Sequence, residues 1–179
     1  MGQTSSSEQT QVGSSSTKVI DYFNLKKFLK NPNWCEVARY EEFNVDKCEK
    51  NLNTFVMNPE NGHIIVSDYC YKKDKKKLVG ESIIRKKNQS SRSGDLETSI
   101  DGKEWGEYNV LWSDYKNITF IAGKNYSSFW ILTRYSEITD ERCNMICDSL
   151  NQIEALCGVD NIKKWKLVWN NGDKLFVEA

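Results

Sequence analysis

The stretch Asn31-Pro32-Asn33-Trp34-Cys35-Glu36-Val37-Ala38-Arg39-Tyr40 decides how the rest of the chain is interpreted. Its Asn-Pro-Asn opening is typical of a turn. The residues that follow fit a β-strand, and strict alternation would place Trp34, Glu36 and Ala38 on one face and Arg39 on the other. Because Trp34 is the first large side chain after the turn, we expect it to plug one end of a sheet or barrel. From this stretch alone, an ordinary core tryptophan is the other interpretation.

Three short motifs resemble those of one protein family. Trp34-x-Glu-Val-Ala-Arg39 resembles the first signature of the lipocalins, Gly-x-Trp-Tyr-Glu-x-Ala-Arg, with Asn and Cys in place of the Gly and the Tyr. Residues 129–134, Phe-Trp-Ile-Leu-Thr-Arg, resemble the end of the last barrel strand in the group of apolipoprotein D, bacterial lipocalins and plant temperature-induced lipocalins. Ser113-Asp114-Tyr115 resembles the second signature, Thr-Asp-Tyr. Since the motifs occur in the family's order and separation, the chain resembles a lipocalin.

Length and composition favour one globular domain made of short strands. The chain has 179 residues, of which 12% are aromatic and only two are proline. Lys plus Arg and Asp plus Glu both number 25, and this zero net charge argues against nucleic-acid binding. The sequence shows neither a run of about 20 apolar residues nor an apolar stretch after the N-terminus. These features predict a cytoplasmic protein, with secretion as the alternative if the true precursor differs.

The order of patterns along the chain predicts an all-β fold. Residues 1–18, rich in Ser, Thr, Gln and Gly, are predicted to be a disordered tail, and residues 19–179 a single barrel domain. Helical spacing predicts a short helix over 20–30 and a longer helix over 136–156, the latter capped by Thr139. Alternation predicts strands over 34–40, 52–57, 63–72, 78–86, 96–100, 105–112, 118–122 and 126–134, with two short ones over 164–168 and 174–177. Eight hairpin-linked strands close an antiparallel up-and-down β-barrel, and the resemblance implies that the C-terminal helix packs outside it.

The resemblance also implies where a ligand would bind. A lipocalin barrel is closed at one end and open at the other as a cup for apolar molecules. Trp34 and Arg134 would form the structural floor, with the guanidinium on the indole face. Alternation from Arg134 directs Leu132 and Trp130 inward, and the aromatic faces of other strands complete the wall. The predicted ligand-binding residues are Phe55, Met57, Tyr69, Tyr71, Tyr108, Val110, Trp112, Trp130 and Leu132.

The predicted partner is therefore a small hydrophobic ligand of the fatty acid, lysophospholipid, retinoid or sterol class. We predict no cofactor, no nucleic-acid partner, and a monomer or weak dimer. The spacing of the six cysteines is unlike that of a zinc site, and the only histidine, His63, lies beside a turn. These patterns argue against a metal site and against histidine-dependent catalysis.

The cysteines leave two redox predictions open. In secreted apolipoprotein D-like and insect lipocalins, a cysteine at the end of the first loop pairs with one near the C-terminus. The resemblance thus implies a Cys48–Cys157 disulfide, whereas a cytosolic location favours reduced thiols. Two other functions stay open beside ligand transport: a lipocalin-type isomerase using an inward thiol, such as Cys70, and a filled barrel acting as a protein-interaction module. Alternation places Cys70 opposite Tyr69 and Tyr71, so we predict that the protein is not an enzyme.

The N-terminus carries one further motif. Met1-Gly2-Gln3-Thr4-Ser5-Ser6 fits the N-myristoylation pattern, which makes Gly2 a candidate for lipidation. One myristoyl chain gives only weak, reversible membrane binding. Lys26, Lys27 and Lys30 would add attraction to an anionic surface. The alternative is an unmodified leader.

Overall fold

The computed structural model describes residues 17–40, 48–73, 75–135, 139–157 and 167–169. In these ranges helix α1 (Leu25–Leu29) precedes the strands, and helix α2 (Asp140–Cys157) lies between the last two of them. The strands are β1 (Asn33–Tyr40), β2 (Lys50–Met57), β3 (Ile64–Lys72), β4 (Lys75–Lys86), β5 (Asp95–Ser99), β6 (Gly106–Ser113), β7 (Ile118–Ala122), β8 (Phe129–Thr133) and β9 (Leu167–Trp169). Neither described helix combines the length and the apolar composition that a membrane crossing needs.

The first eight strands form a closed barrel. Each strand from β2 to β8 pairs antiparallel with the next, β8 pairs with β1, and β1 pairs with β2. The predicted eight-stranded up-and-down barrel is therefore confirmed. β9 pairs with the second half of β1, on the edge that β2 leaves after Glu36. The predicted strand over 164–168 thus corresponds to β9, while the one over 174–177 lies outside the described residues.

Bulges in β1 and β6 reverse the inward and outward alternation. In β1, Glu36 pairs with Leu132 but Ala38 pairs with the next residue of β8, so Val37 is an extra residue. In β6, Val110 and Trp112 pair with consecutive residues of β7, and Leu111 is the extra residue. Because side chains alternate with a period of two, one extra residue moves every later side chain to the opposite face.

Two apolar clusters hold the barrel. The outer cluster joins α2 to the outside of the wall and comprises Cys35, Val37, Ala38, Leu111, Ile118, Phe120, Ala122, Phe129, Ile131, Ile146, Leu150 and Ile153. The floor cluster fills the closed end and comprises Phe23, Phe28, Trp34, Phe55, Ile64, Val66, Ile84, Leu96, Val110, Ile121 and Leu132. The outer cluster confirms that the C-terminal helix packs outside the barrel.

Both helices start at capping residues. Asn24 Oδ1 accepts a hydrogen bond from the Lys27 amide at 3.0 Å, and Thr139 Oγ1 accepts one from the Arg142 amide at 3.3 Å. Helix α1 is shorter than the predicted helix over 20–30, because the amides before it bind the barrel instead. The Phe23 amide donates to the Arg92 carbonyl, and the Asn24 amide donates to the Tyr115 hydroxyl.

Candidate functional site

The barrel encloses a cavity of about 560 Å³. Seven of the eight barrel strands contribute to its wall; β7 does not. Its lining combines apolar and polar side chains: Glu36, Arg39, Cys48, Asn51, Leu52, Asn53, Val66, Asp68, Tyr69, Lys77, Leu78, Val79, Gly80, Ser82, Ile84, Thr98, Ile100, Tyr108, Trp130 and Leu132. The cavity opens between the β3–β4 hairpin and the end of β5, where Leu78, Val79 and Ile100 are exposed. We call these three residues the apolar rim.

The floor is built around Trp34. Its side chain is fully buried, and its ring stacks on that of Phe28 with 5.0 Å between centroids. The Arg134 guanidinium lies 3.4 Å from the indole centre, as predicted from the two motifs. The same guanidinium donates hydrogen bonds to the carbonyls of Asn33 and Phe28, which ties the strand end to α1. Burial lowers the pKa of Arg134 to about 10, so it remains a cation at neutral pH.

Four of the predicted ligand contacts line the cavity. Trp130 and Leu132 face inward from β8, as the alternation from Arg134 predicted. Tyr108 faces inward from β6, and its ring stacks on Trp130 with 6.0 Å between centroids. Tyr69 reaches the wall from β3, where Lys76 Nζ lies 3.7 Å above its ring.

The other predicted contacts do not line this cavity. Phe55 and Val110 face inward but lie lower, packed into the floor cluster. Met57, at the closed end of β2, is 41% exposed. The prediction for Trp112 is wrong, because the bulge at Leu111 turns its ring outward to Phe120, 5.8 Å away.

The prediction for Tyr71 is wrong for a different reason, a choice of the wrong face on β3. Val66 and Asp68 line the cavity, Cys70 follows them in alternation, and Tyr71 is therefore on the outer face and does not line the cavity. Tyr69 shares the outer face of β3, yet part of its side chain still reaches the lining. Lys50 Nζ lies 5.3 Å from the centre of the Tyr71 ring. Aromatic residues at the mouth thus pair with lysines of the neighbouring strands.

A polar cluster inside the cavity was missed from the sequence. Arg39 faces inward because of the bulge at Val37, and its Nε donates to Glu36 Oε1. On the adjoining strands, Asn53 Nδ2 donates to Asp68 Oδ1, and the two residues are direct cross-strand partners. Together with Tyr108 these residues form what we call the polar cluster. One sequence signal could have revealed it. Asn51, Asn53 and Phe55 are alternate residues of β2 and so share a face, which places Asn53 on the same side as the predicted inward Phe55.

Burial governs the protonation of the polar cluster. It raises the pKa of Glu36, with Arg39 opposing the rise and Asp68 adding to it. It also raises the pKa of Asp68, which the hydrogen bond from Asn53 and the charge of Arg39 partly offset. The pKa of Tyr108 is raised well above its usual value by burial and by the two carboxylates. The three acidic groups therefore lie close enough to repel one another when charged.

The predicted Cys48–Cys157 pairing is wrong. Cys48 is bonded to Cys70, and the Glu49 amide donates to the Tyr71 carbonyl at 3.0 Å. The start of β2 runs beside the end of β3, so this local pairing brings the two cysteines together. The side chain of Cys157 lies outside the described residues, as does Gly2. In the part of the chain that the structure describes, no three His, Cys, Asp or Glu side chains are placed to hold a metal ion.

Comparison with known proteins agrees with this architecture. The sequence profile of the Lipocalin-like domain family matches residues 23–155. The fold resembles insecticyanin from the tobacco hornworm Manduca sexta, with 16% identity, a TM-score of 0.64, and 90% of this chain and 87% of that chain covered. It also resembles lobster apocrustacyanin A1, with 12% identity, a TM-score of 0.57, and 89% and 92% covered. No curated protein sequence matches the chain significantly.

Proposed function

We propose, since the chain belongs to the lipocalin family, that it binds and carries a small hydrophobic ligand in the barrel cavity. Members of this family typically bind such ligands and are mostly transport proteins rather than enzymes. The observation that carries the proposal is the 560 Å³ cavity above an aromatic floor. A cavity of this size lies in the range of small-molecule sites.

Apolar burial supplies the binding energy in this proposal. Trp130, Leu132, Val66 and Ile84 line the cavity on different strands. Each Å² of ligand surface removed from water against them contributes about 25 cal/mol. The ligand enters past the apolar rim, whose side chains are 47–86% exposed.

Fluorescence titration tests the proposal directly. Fatty acid, lysophospholipid, retinoid, sterol and long-chain amine are each titrated into the protein, and saturable quenching is expected for at least one class. Trp130 is the expected reporter, so Trp130→Phe should lose most of the quenching. Trp105→Phe is the matched control, because Trp105 lies outside this cavity with Arg85 3.7 Å from its ring centre. An absence of saturable binding in all five classes would count against a ligand-carrying function.

The two alternatives have less support. An isomerase that uses an inward thiol needs a free cysteine in the lining, and Cys48, the lining cysteine among the described residues, is bonded to Cys70. Of the described free cysteines, Cys35 packs in the outer cluster and Cys143 and Cys147 lie on α2. A filled barrel acting as an interaction module is disfavoured by the volume of the cavity.

We also propose that Gly2 is myristoylated and that the protein contacts membranes weakly from the cytoplasmic side. The N-terminal motif supports this, and Lys26, Lys27 and Lys30 are exposed around α1 at the closed end. Contact through this end leaves the cavity mouth free. Metabolic labelling with a myristate analogue should mark the parent but not Gly2→Ala, and equal labelling of both would refute the modification.

A further inference from the structure

The polar cluster has an unequal balance of charge. The polar cluster contains two acidic residues that line the cavity, Glu36 and Asp68, and one basic residue, Arg39. The guanidinium of Arg39 is bound to Glu36 and its charge also lowers the pKa of Asp68, so a single basic side chain serves two carboxylates at this depth. Lys77, the other basic residue of the lining, is exposed at the mouth on β4. The polar cluster therefore holds one more carboxylate than it holds basic side chains.

An unpaired acceptor points the same way. Asn53 is nine-tenths buried, lines the cavity, and has no hydrogen-bond partner for its Oδ1 among the described residues. Its orientation is fixed, because Nδ2 donates to the carboxylate of Asp68 and a flipped amide would set oxygen against oxygen. Buried acceptors are normally paired, so this oxygen calls for a donor from a bound molecule. Trp34 Nε1 is also unpaired within the described ranges, but Trp34 lies beneath the cavity and does not line it.

Resting on the proposed function, we propose that the cavity takes an amphiphile with a hydrogen-bond-donating, cationic end, of the long-chain amine class, inserted amine first. An ammonium group carries three donors and no acceptor. Asp68 and Asn53 Oδ1 would accept from it on adjoining strands. The stacked rings of Tyr108 and Trp130 offer a cation–π surface at the same level.

The mouth of the cavity suits the other end of such a molecule. Leu78, Val79 and Ile100 of the apolar rim are 47%, 49% and 86% exposed. A hydrocarbon chain that leaves the polar cluster toward the mouth would cover this surface. A fatty acid in the same orientation would bring its carboxylate against Asp68 and Glu36, which like-charge repulsion disfavours. The arrangement thus selects between two amphiphiles of equal length.

A matched ligand series tests this inference on the parent protein. Dodecylamine, dodecanol and dodecanoate have the same chain and differ in the polar end. Each is measured at neutral pH, below its micelle concentration, by calorimetry and by displacement of a hydrophobic dye. We expect the amine to bind at least tenfold more tightly than the carboxylate, with the alcohol between them.

Variants then assign the preference to the polar cluster. Asp68→Asn and Asn53→Leu should each reduce the ratio of amine to carboxylate affinity several-fold. Glu81→Gln, on the exposed outer face of β4, should leave the ratio unchanged. Circular dichroism melting verifies that each variant is folded, and the parent series decides the matter if one is not.

The outcomes separate this inference from the proposed function. Equal affinities in the parent, or a tighter carboxylate, would overturn the amine assignment while leaving a ligand-binding cavity in place. No binding of any of the three, together with failure of the wider titration, would remove the proposed function itself.

Discussion

The two ends of the barrel are stabilised in different ways. The closed end is packed: Phe28 stacks on Trp34 and meets Phe55 edge to face, and Arg134 covers the indole. The open end has exposed apolar side chains and polar groups, and a covalent bond between Cys48 and Cys70 holds two of its strands. The floor side chains are buried, whereas Leu78, Val79 and Ile100 at the mouth are exposed. Aromatic packing thus stabilises one end of the barrel, and a covalent bond stabilises the other.

The largest expected effect is at the floor. Trp34→Ala should lower the free energy of unfolding by about 3–5 kcal/mol, because it removes a fully buried indole and leaves a void under Arg134. Trp130→Ala, in the cavity wall, should cost much less stability and mainly weaken ligand binding. Chemical denaturation of both variants measures the contrast. Equal losses of stability at the two positions would show that the floor and the wall are one packed unit.

The covalent bond at the mouth should come next. In the chain-entropy treatment, the Cys48–Cys70 bond closes a separation of 22 residues and stabilises the fold by about 3 kcal/mol. The double variant Cys48→Ser/Cys70→Ser should lose this amount under oxidising conditions and match the parent in reductant. Cys143→Ser/Cys147→Ser removes the same number of thiols on α2 and serves as the control. If the parent is equally stable with and without reductant, the mouth does not depend on the bond.

The same bond bears on where the protein works. Disulfides persist in oxidising compartments and are rare in the cytosol. Non-reducing mass spectrometry of the protein from its native source should find the bond if the chain is exported and free thiols if it stays cytoplasmic. The mass of the intact chain, with or without the two thiol hydrogens, therefore distinguishes the two predicted locations.

A close backbone contact at the closed end gives a smaller effect. A Cβ on Gly94 would lie 2.5 Å from the Val110 carbonyl oxygen and 2.7 Å from Ile20. Gly94→Ala should therefore destabilise the fold by about 1–3 kcal/mol, as overpacking does. Gly106→Ala, at the mouth end of β6, meets only Thr98 at 4.0 Å and should be nearly neutral. Thermal melts measure both variants. A melting temperature of Gly106→Ala that is no higher than that of Gly94→Ala would contradict the proposed contrast between the ends.

The smallest effect is the pH dependence of the polar cluster. Because burial raises the pKa of Asp68 above 3.8, the folded state holds this proton more tightly than the unfolded state. The contribution to stability is therefore present below about pH 4 and declines as the pH rises through the folded pKa. Asp68→Asn should remove this decline, at about 1.4 kcal/mol for each unit by which the two pKa values differ.

Denaturation curves of the parent and of Asp68→Asn, collected from pH 3 to pH 8, test this prediction. Their difference should grow with pH and then level off. Glu81→Gln, on the outside of β4, controls for the loss of one negative charge. A difference between parent and Asp68→Asn that is constant across this range would mean that Asp68 is not buried as described.

The closed end could be predicted from the sequence because its signals are local. Trp34 and Arg134 lie in short motifs, and alternation over three residues directs Trp130 and Leu132 inward. The wall was predictable only in part, since its phase depends on bulges that no residue type marks. Val37 and Leu111 look like ordinary strand residues, yet each reverses the alternation, which brings Arg39 inward and turns Trp112 outward.

The disulfide shows a second reason why the sequence predicted the cavity wall only in part. Cys48–Cys70 depends on how β2 and β3 align, and the chain carries six cysteines among which spacing cannot choose. The resemblance to secreted lipocalins implied Cys157 as the partner of Cys48, but the register of β2 and β3 places Cys70 there instead. The contact between Asn53 and Asp68 could not be predicted for the same reason, because it depends on the register of β2 and β3.

The pairing of β9 with β1 has a consequence for behaviour at high concentration. β2 leaves β1 after Glu36, and this would expose the backbone edge at Ala38–Tyr40 if β9 did not pair with it. An open edge is a template on which another chain can add a strand, and such addition begins aggregation. A three-residue strand far along the chain therefore covers a backbone edge on which another chain could otherwise add a strand.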